Sequence, residues 1–413
     1  MAKKTDGSQR QNQGKGLWAV FLFSLTVAII STIPILFPAS MTLTESQIPE
    51  IGQRGPDRLE TGVWTGGVIA ANMAVFGMLV LHYKKRLPLS GALRRLFSFE
   101  VSKKKSCVAV SIIVGMYAVS SAGEIYTEDE WADYVNLKNR LQSWSVHDIG
   151  VKIEPHVKYA ITNASMAAFG NYAVLPYVAS ILLVILTYVM TVQITGRRFS
   201  GIIAVIVLLQ SNIFLTYDTS VTYTNFWAVL FLTSLYFARR AWPAAPAALV
   251  LSVFAKALTA MFVPMSIYYY MRTDMKRVYK AVLVAVTACI ILAGSIAVYS
   301  GPGLGEARVE GFDSKEFWAG FSSFANQLRW DGIVLMFLIP LIAGLFIASR
   351  HGIRHADSIM VMIAGMLMIA PVLAGFTNQT IQPYRFVPLV VFFAIGVGIL
   401  LSGAPIRYGQ RSR

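Results

Sequence analysis

The sequence predicts an all-α polytopic membrane protein, with about 12 transmembrane helices and amphipathic helices in its external loops. Three observations carry that prediction: the composition, the length of the apolar runs, and the alternation of basic clusters between those runs. Of the 413 residues, 55% are hydrophobic and 14% charged, and the mean hydropathy is +0.57. Soluble domains run about 45–50% apolar and about 25% charged. Runs of roughly 20 apolar residues suit helices that satisfy their own backbone hydrogen bonds in lipid. A barrel would show strands of alternating polarity over about ten residues, and these runs do not alternate.

The net charge is +15, but its distribution points to topology rather than to nucleic acid. Lys3 and Lys4 open the chain, and Lys84, Lys85, Arg86, Arg94, Arg95 and Lys103 to Lys105 crowd one connection. Arg197 and Arg198, Arg239 and Arg240, Arg272, Lys276 and Arg277, then Arg350 and Arg354 follow, with Arg407, Arg411 and Arg413 at the end. These clusters alternate with acidic or neutral loops, as the bias of cytoplasmic loops toward Lys and Arg demands. A multi-pass protein of the cell membrane with both termini cytoplasmic is therefore expected. Cys107 and Cys289 both fall in predicted helices and read as small core residues, not as a disulfide or a zinc site.

Taken in order, residues 1–16 are polar and predict a disordered cytoplasmic tail, too polar for a signal peptide. Predicted spans are 17–38, 65–82, 107–122, 171–194, 200–216 and 223–239, then 244–256, 258–271, 279–299, 332–349, 357–374 and 385–403. Residues 17–105 form an N-terminal membrane hairpin with its basic cytoplasmic loop, 106–403 the membrane core, and 404–413 a second cytoplasmic tail. The stretch 244–271 reads either as two short helices or as one kinked helix with Lys256 near its middle. A lysine at the hydrocarbon centre costs about 2.5–3.5 kcal/mol, which favours two short helices with Lys256 near the outer surface.

Four external segments result: 39–64, 123–170, 300–331 and 375–384. The second mixes Trp131, Tyr134, Leu137, Leu141 and Trp144 with polar groups, the spacing of an amphipathic helix lying on the outer membrane surface. Asn163-Ala164-Ser165 and Asn378-Gln379-Thr380 match glycosylation acceptors in external segments.

Glu128, Asp129 and Glu130 stand just beyond the 107–122 span. One of them could take a proton from an acceptor hydroxyl or amide, or help hold a divalent cation; from the cluster alone a solvated acidic loop is the better reading. His147, Asp148, Glu154 and His156 match no strict zinc motif, so loop structure or substrate contact is the better reading. Asp218, Thr219, Thr222 and Tyr223 mark the next outer turn, where Asp218 suits a helix cap or a substrate contact. Lys256 and Arg385 occupy boundary positions that suit a lipid phosphate or ordinary headgroup snorkelling.

Between Tyr126 and Tyr270, with an echo at Tyr384-Arg385-Phe386-Val387-Pro388, these pieces resemble the GT-C superfamily of polytopic glycosyltransferases. The mannosyltransferase-like and arabinosyltransferase-like branches, which use polyprenyl-phosphate sugars, are the nearest in pattern. Asp129 and Glu130 look like the family's acidic pair on the first large external loop, with Glu128 competing for the same role. Glu154 to Tyr159 looks like its proline-containing element before a short luminal helix and a glycine, here Gly170. Thr195 to Gly201 resembles its cytoplasmic turn, Tyr217 to Ser220 its next luminal turn, and Phe254 to Ala257 its basic hairpin near the lipid phosphate. The chain departs from the pattern in placing the acid after the third span and in lacking a large C-terminal soluble domain.

The resemblance implies a GT-C-like helical fold and transfer of a sugar from a polyprenyl-phosphate donor to an extracytoplasmic glycan, lipid or protein. On that reading an acid among Asp129, Glu130 and Glu128 activates the acceptor, and Lys256 and Arg385 bind the donor phosphate. His156, Asp218, Tyr223 and Tyr384 contact substrate. No glycine-rich phosphate loop appears, so no nucleotide cofactor is expected, while a divalent cation is compatible with the acids. Nucleic acid is not an expected partner; membrane lipids are. A transporter needs the same helices and charges but commonly shows an internal repeat, which these spans lack; a non-catalytic subunit of a membrane complex is the third reading.

Overall fold

A computed structural model describes residues 5–40, 59–84, 98–145, 155–300, 311–353, 355–377 and 382–402. Every regular element among them is helical. Six helices among the described residues are long and apolar enough to cross a membrane: Gly16–Leu36, Lys103–Tyr126, Val174–Thr195, Gly332–Arg350, Ala356–Phe376 and Pro383–Leu400. Shorter apolar helices cover Thr65–Met78, Arg198–Leu209 and Trp242–Ala255.

The first helix, α1 (Thr5–Leu36), starts inside the segment expected to be disordered. Next come α2 (Thr65–Tyr83) and α3 (Lys103–Ser121), the latter capped by the Ser102 hydroxyl and tightening into a 3-10 turn over Ala122–Tyr126. Two shorter helices follow, α4 (Tyr134–Ser143) and α5 (His156–Phe169).

Then α6 (Val174–Thr195) ends at Gly196, which takes a left-handed φ of 73° and lets the chain reverse into α7 (Arg198–Leu209). The predicted 200–216 span is not one helix: it breaks before α8 (Asn212–Thr216), where the Ser211 hydroxyl accepts the Phe214 N–H at 3.2 Å. The polar triplet Gln210-Ser211-Asn212 offers the backbone a cap in place of another helical turn.

The helices α9 (Phe226–Arg240) and α10 (Ala245–Ala255) form a hairpin, tied where Ser252 donates to the Trp227 carbonyl at 2.7 Å. At Lys256 the backbone is extended (φ −155°, ψ 113°), and a 3-10 segment, Ala257–Phe262, leads into α11 (Val263–Arg272). The expected interruption at Lys256 is therefore present. The chain continues through α12 (Arg277–Ser300), α13 (Ser314–Ala319), α14 (Ser322–Gln327), α15 (Gly332–Arg350), α16 (Ala356–Phe376) and α17 (Val387–Leu400).

Two compact units divide the chain: one holds residues 1–100, 193–200 and 310–413, the other 101–192 and 201–309. In the first, α1 packs along α15 and α16, with Phe21 stacked on Phe346 at 4.2 Å. Trp64 donates its indole N–H to the Arg329 carbonyl at 2.7 Å, fixing the start of α2 beside α15. Helix α17 is apolar all round and buried on all sides, as that pattern requires.

In the second unit, α4 uses Tyr134, Leu137 and Leu141 to pack against Tyr159, Ala173 and Val221. The amphipathic pattern is thus real, but protein covers the apolar stripe, so α4 does not lie with that stripe on the membrane surface. Cys107 and Cys289 also depart from expectation, since both are exposed on helix surfaces rather than buried in the core.

Candidate functional site

The second unit builds its most polar cluster where the end of α3 and the loop after it meet the turn Tyr217 to Thr224. The acids and hydroxyls interlock in register. Ser121 donates to Asp218 Oδ2 at 3.1 Å, and Thr219 donates to Glu124 Oε2 at 3.1 Å. Asp129 Oδ2 accepts the Ser220 hydroxyl at 3.1 Å and the Thr222 N–H at 2.7 Å. Tyr223 completes the row by donating its hydroxyl to Asp133 Oδ2 at 3.0 Å. Hydroxyls and N–H groups along this turn need acceptors once it is folded inward, and the acidic loop supplies them.

Aromatic rings frame this row. Trp131 stacks on Tyr217 at 5.2 Å and meets Tyr223 edge-on at 5.3 Å, and Tyr217 meets Tyr223 edge-on at 5.7 Å. Lys158, from α5, donates to the Thr222 carbonyl at 2.5 Å, so a cation also braces the turn. Below it, Ser180 donates to the Asp218 carbonyl at 2.7 Å and accepts from Asn225 at 2.9 Å.

The three adjacent acids are not equivalent. Glu128 is exposed and ion-paired with Lys138, whose ammonium that hydrogen bond holds above its ordinary range. Glu130 is exposed, whereas Asp129 is half-buried and held by two hydrogen bonds on a single oxygen. Of the three, Asp129 is the one gripped by the turn.

Asp218 is only 1% exposed, and its Oδ1 has no hydrogen-bond partner. Burial pushes its carboxyl up to about 6; the neighbouring Tyr117 hydroxyl is the main influence against this, the charge of Glu124 adds to the rise, and the Ser121 and Thr219 donors oppose it. It does not cap the next helix, because the residue preceding α9 is Asn225. Nor is it presented at a surface as a substrate contact would be.

His156 is likewise buried, at 6% exposure, and its Nδ1 lies 3.4 Å from the Trp144 indole N–H. His147, Asp148 and Glu154 lie outside the described residues. Pro155 precedes α5 and Gly170 ends it with a left-handed φ of 67°. Asn163 donates its side-chain amide to the Leu141 carbonyl at 3.0 Å, so that nitrogen is already engaged and is poorly placed to accept a glycan. The Asn378 acceptor lies outside the described residues.

Lys256 belongs to the same unit as Asp129, at the extended break between α10 and the 3-10 segment. Arg385 and Tyr384 belong to the other unit, in the 3-10 turn Pro383–Phe386 that opens into α17. There Arg385 donates its Nε–H to the hydroxyl of buried Tyr384 at 3.4 Å, with the guanidinium over the ring at 5.8 Å. Among the described residues no three His, Cys, Asp or Glu side chains gather as metal ligands. The acids of the row face hydroxyls and an N–H, donors that would compete with a cation for the same lone pairs.

Sequence reasoning missed Ser121, Glu124 and Asp133. The signal was present as a hydroxyl-rich turn, Thr219-Ser220-Val221-Thr222-Tyr223-Thr224, which must find acceptors if buried. Comparison with protein-family models, with curated proteins and with solved structures finds no match to this chain.

Proposed function

We propose that this protein transfers a sugar from a polyprenyl-phosphate donor to an extracytoplasmic acceptor, a glycan, lipid or protein, at the polar row around Asp129. One observation carries the reading: an oriented carboxylate stands beside an aromatic frame of Trp131, Tyr217 and Tyr223, beyond the end of an apolar helix. Aromatic faces and acids together suit a sugar, whose ring C–H groups meet π faces while its hydroxyls donate to carboxylates.

In the proposed reaction Asp129 accepts the proton of the acceptor hydroxyl or amide through the carboxylate oxygen not used by Ser220 and Thr222. The acceptor atom bonds to the anomeric carbon as its bond to the donor phosphate breaks, and polyprenyl phosphate departs with the electron pair. Lys256 and Arg385, which lie in different units, are separate candidates to neutralise that charge, an interaction that strengthens as the leaving group develops. A GT-C-like fold with about twelve crossings belongs to this proposal, the shorter helices making up the count. So do cytoplasmic termini and an extracytoplasmic row, on the strength of the basic clusters.

Buried Asp218 favours a second reading, proton-linked transport, because a carboxyl raised toward neutrality beside apolar helices is suited to carry a proton. The deciding experiment gives purified protein a labelled polyprenyl-phosphate sugar with simple sugar, lipid and peptide acceptors. Product that depends on Asp129 supports transfer. No product, together with proton uptake by sealed proteoliposomes that depends on Asp218, replaces it with transport.

A further inference from the structure

A second site lies away from the polar row, in the same compact unit, where α10 and α12 leave an apolar cavity of 570 Å³ between them. Pro246, Val250 and Leu251 line one wall, and Leu283, Val286 and Ile290 the other. On α12 the wall continues a heptad-like stripe: Tyr279, Leu283, Val286 and Ile290 recur at intervals of four and three, so they share one helix face, and Lys276 stands just before the helix begins. The chain thus runs from charge through an aromatic ring to aliphatic side chains in that order.

The opposite wall repeats the order. Arg239 and Arg240 close α9, Trp242 follows, and the aliphatic face of α10 begins at Pro246. Trp242 lines the cavity and stacks on Tyr279 at 5.0 Å and 19°, joining the two walls at one level. Close in sequence to that pair are Arg240, Lys276 and Arg277, all exposed, and Arg239, Arg272 and Lys280, half-buried. The only carboxylate within those short connections is Asp274.

We propose that this groove is a binding site for an anionic phospholipid. An acyl chain lies between α10 and α12, the glycerol level meets the Trp242–Tyr279 pair, and the phosphate faces Lys276, Arg277 and Arg240. Charge complementarity commits the site to an anionic lipid: a zwitterionic headgroup gains little from so many cations and one acid, whereas an anionic one is attracted by each. The aromatic pair fixes the depth, as Trp and Tyr do at a membrane–water boundary. The site is independent of sugar transfer, and none of its residues belongs to the polar row.

The test uses the full chain purified in mild detergent and offered equal amounts of phosphatidylglycerol and phosphatidylcholine, with retained lipids identified by native mass spectrometry. Phosphatidylglycerol should be retained about tenfold or more in preference to phosphatidylcholine. The double variant Lys276→Gln/Arg277→Gln should lose that preference, while Lys103→Gln/Lys104→Gln, with the same charge removed elsewhere, should keep it. Ala247→Trp, which fills the groove at an exposed position, should lower retention of both lipids with little change in melting temperature. Equal retention of the two lipids by wild type, or an unchanged preference in Lys276→Gln/Arg277→Gln, overturns the proposal. Displacement of the phosphatidylglycerol by polyprenyl phosphate at equal concentration also overturns it, since the groove would then belong to the donor.

Discussion

Asp129 and Thr222 are joined by a 2.7 Å hydrogen bond from the turn's N–H to Oδ2, and the same oxygen also receives the Ser220 hydroxyl. The carboxylate is therefore aimed by the backbone of the segment it faces. An acid held in this way loses little orientational freedom when it acts, which is how a positioned base gains over a solvated one.

Asp129→Asn preserves an acceptor for the Thr222 N–H but removes the basic oxygen. Turnover of lipid-linked sugar should fall by roughly 10²–10⁴-fold with little loss of folded protein. Glu130→Gln should have a smaller effect, since Glu130 is exposed and is not gripped by the turn. Transfer assays on purified variants, with folded yield measured in parallel, check this. Normal turnover in Asp129→Asn would remove the residue from the chemistry.

Lys256 and Arg385 are proposed to contact the donor phosphate. Lys256→Met keeps the backbone N–H that closes α10 on the Ser252 carbonyl at 2.9 Å, so the fold around it should persist. Arg385→Met removes a guanidinium resting on Tyr384. Loss of a charge-assisted contact of about 1.5–3 kcal/mol corresponds to donor affinity weakened roughly 10- to 150-fold. Titration of a polyprenyl-phosphate sugar against each variant measures it, and unchanged affinity in both would end the phosphate assignment.

Much of this architecture is legible in the amino-acid sequence, for an identifiable reason. Helices expected over 65–82, 244–256 and 332–349 appear as Thr65–Tyr83, Ala245–Ala255 and Gly332–Arg350, of which the last is long and apolar enough to cross a membrane, because apolar length and its flanking charges are local properties. The interruption at Lys256 is legible from the cost of a buried charge. The break at Ser211 is not, because a single serine cap is a weak local signal against two apolar flanks. Long-range pairing is invisible: nothing in residues 17–38 announces that α1 packs on α15 and α16, some 300 residues later. The acids of the row are conspicuous as a run, but which one is gripped depends on a turn about 90 residues away, as do the roles of Ser121 and Glu124.

Gly320 gives a test of the first unit that does not involve the site. A Cβ built there would stand 2.6 Å from the Pro371 Cα and 2.9 Å from the Ala370 carbonyl oxygen, so the obstacle is backbone and cannot swing aside. Gly320→Ala should force α13 away from α16 and cost about 1–3 kcal/mol. By contrast, Gly66→Ala, where nothing lies within 4 Å, should be neutral or slightly stabilising. Thermal unfolding of the two variants in one detergent checks the contrast, and equal melting temperatures would contradict the close packing at Gly320.

Asp218 offers the sharpest pH prediction. Its carboxyl is raised from an ordinary 3.8 to about 6, first by burial and then by the neighbouring charge of Glu124. Between those two values the folded chain binds more protons at this position than the unfolded chain does. The contribution of Asp218 to stability is therefore greatest below about pH 4 and is lost as pH rises through 6, the reverse of a salt-bridged aspartate. A carboxyl raised this far contributes roughly 3 kcal/mol, an upper figure because the Ser121 hydrogen bond must also be kept. Asp218→Asn, which stays neutral and still offers an oxygen to Ser121, should remove this dependence. The difference in stability between variant and wild type should grow in the variant's favour from pH 4 to pH 7 and then level off. Unfolding of both proteins in detergent across that range measures it, with the difference between the curves cancelling the titrating groups that do not interact with Asp218. A constant difference from pH 4 to pH 7 would show that Asp218 titrates as an ordinary carboxyl, and the case for proton-linked transport would fall with it.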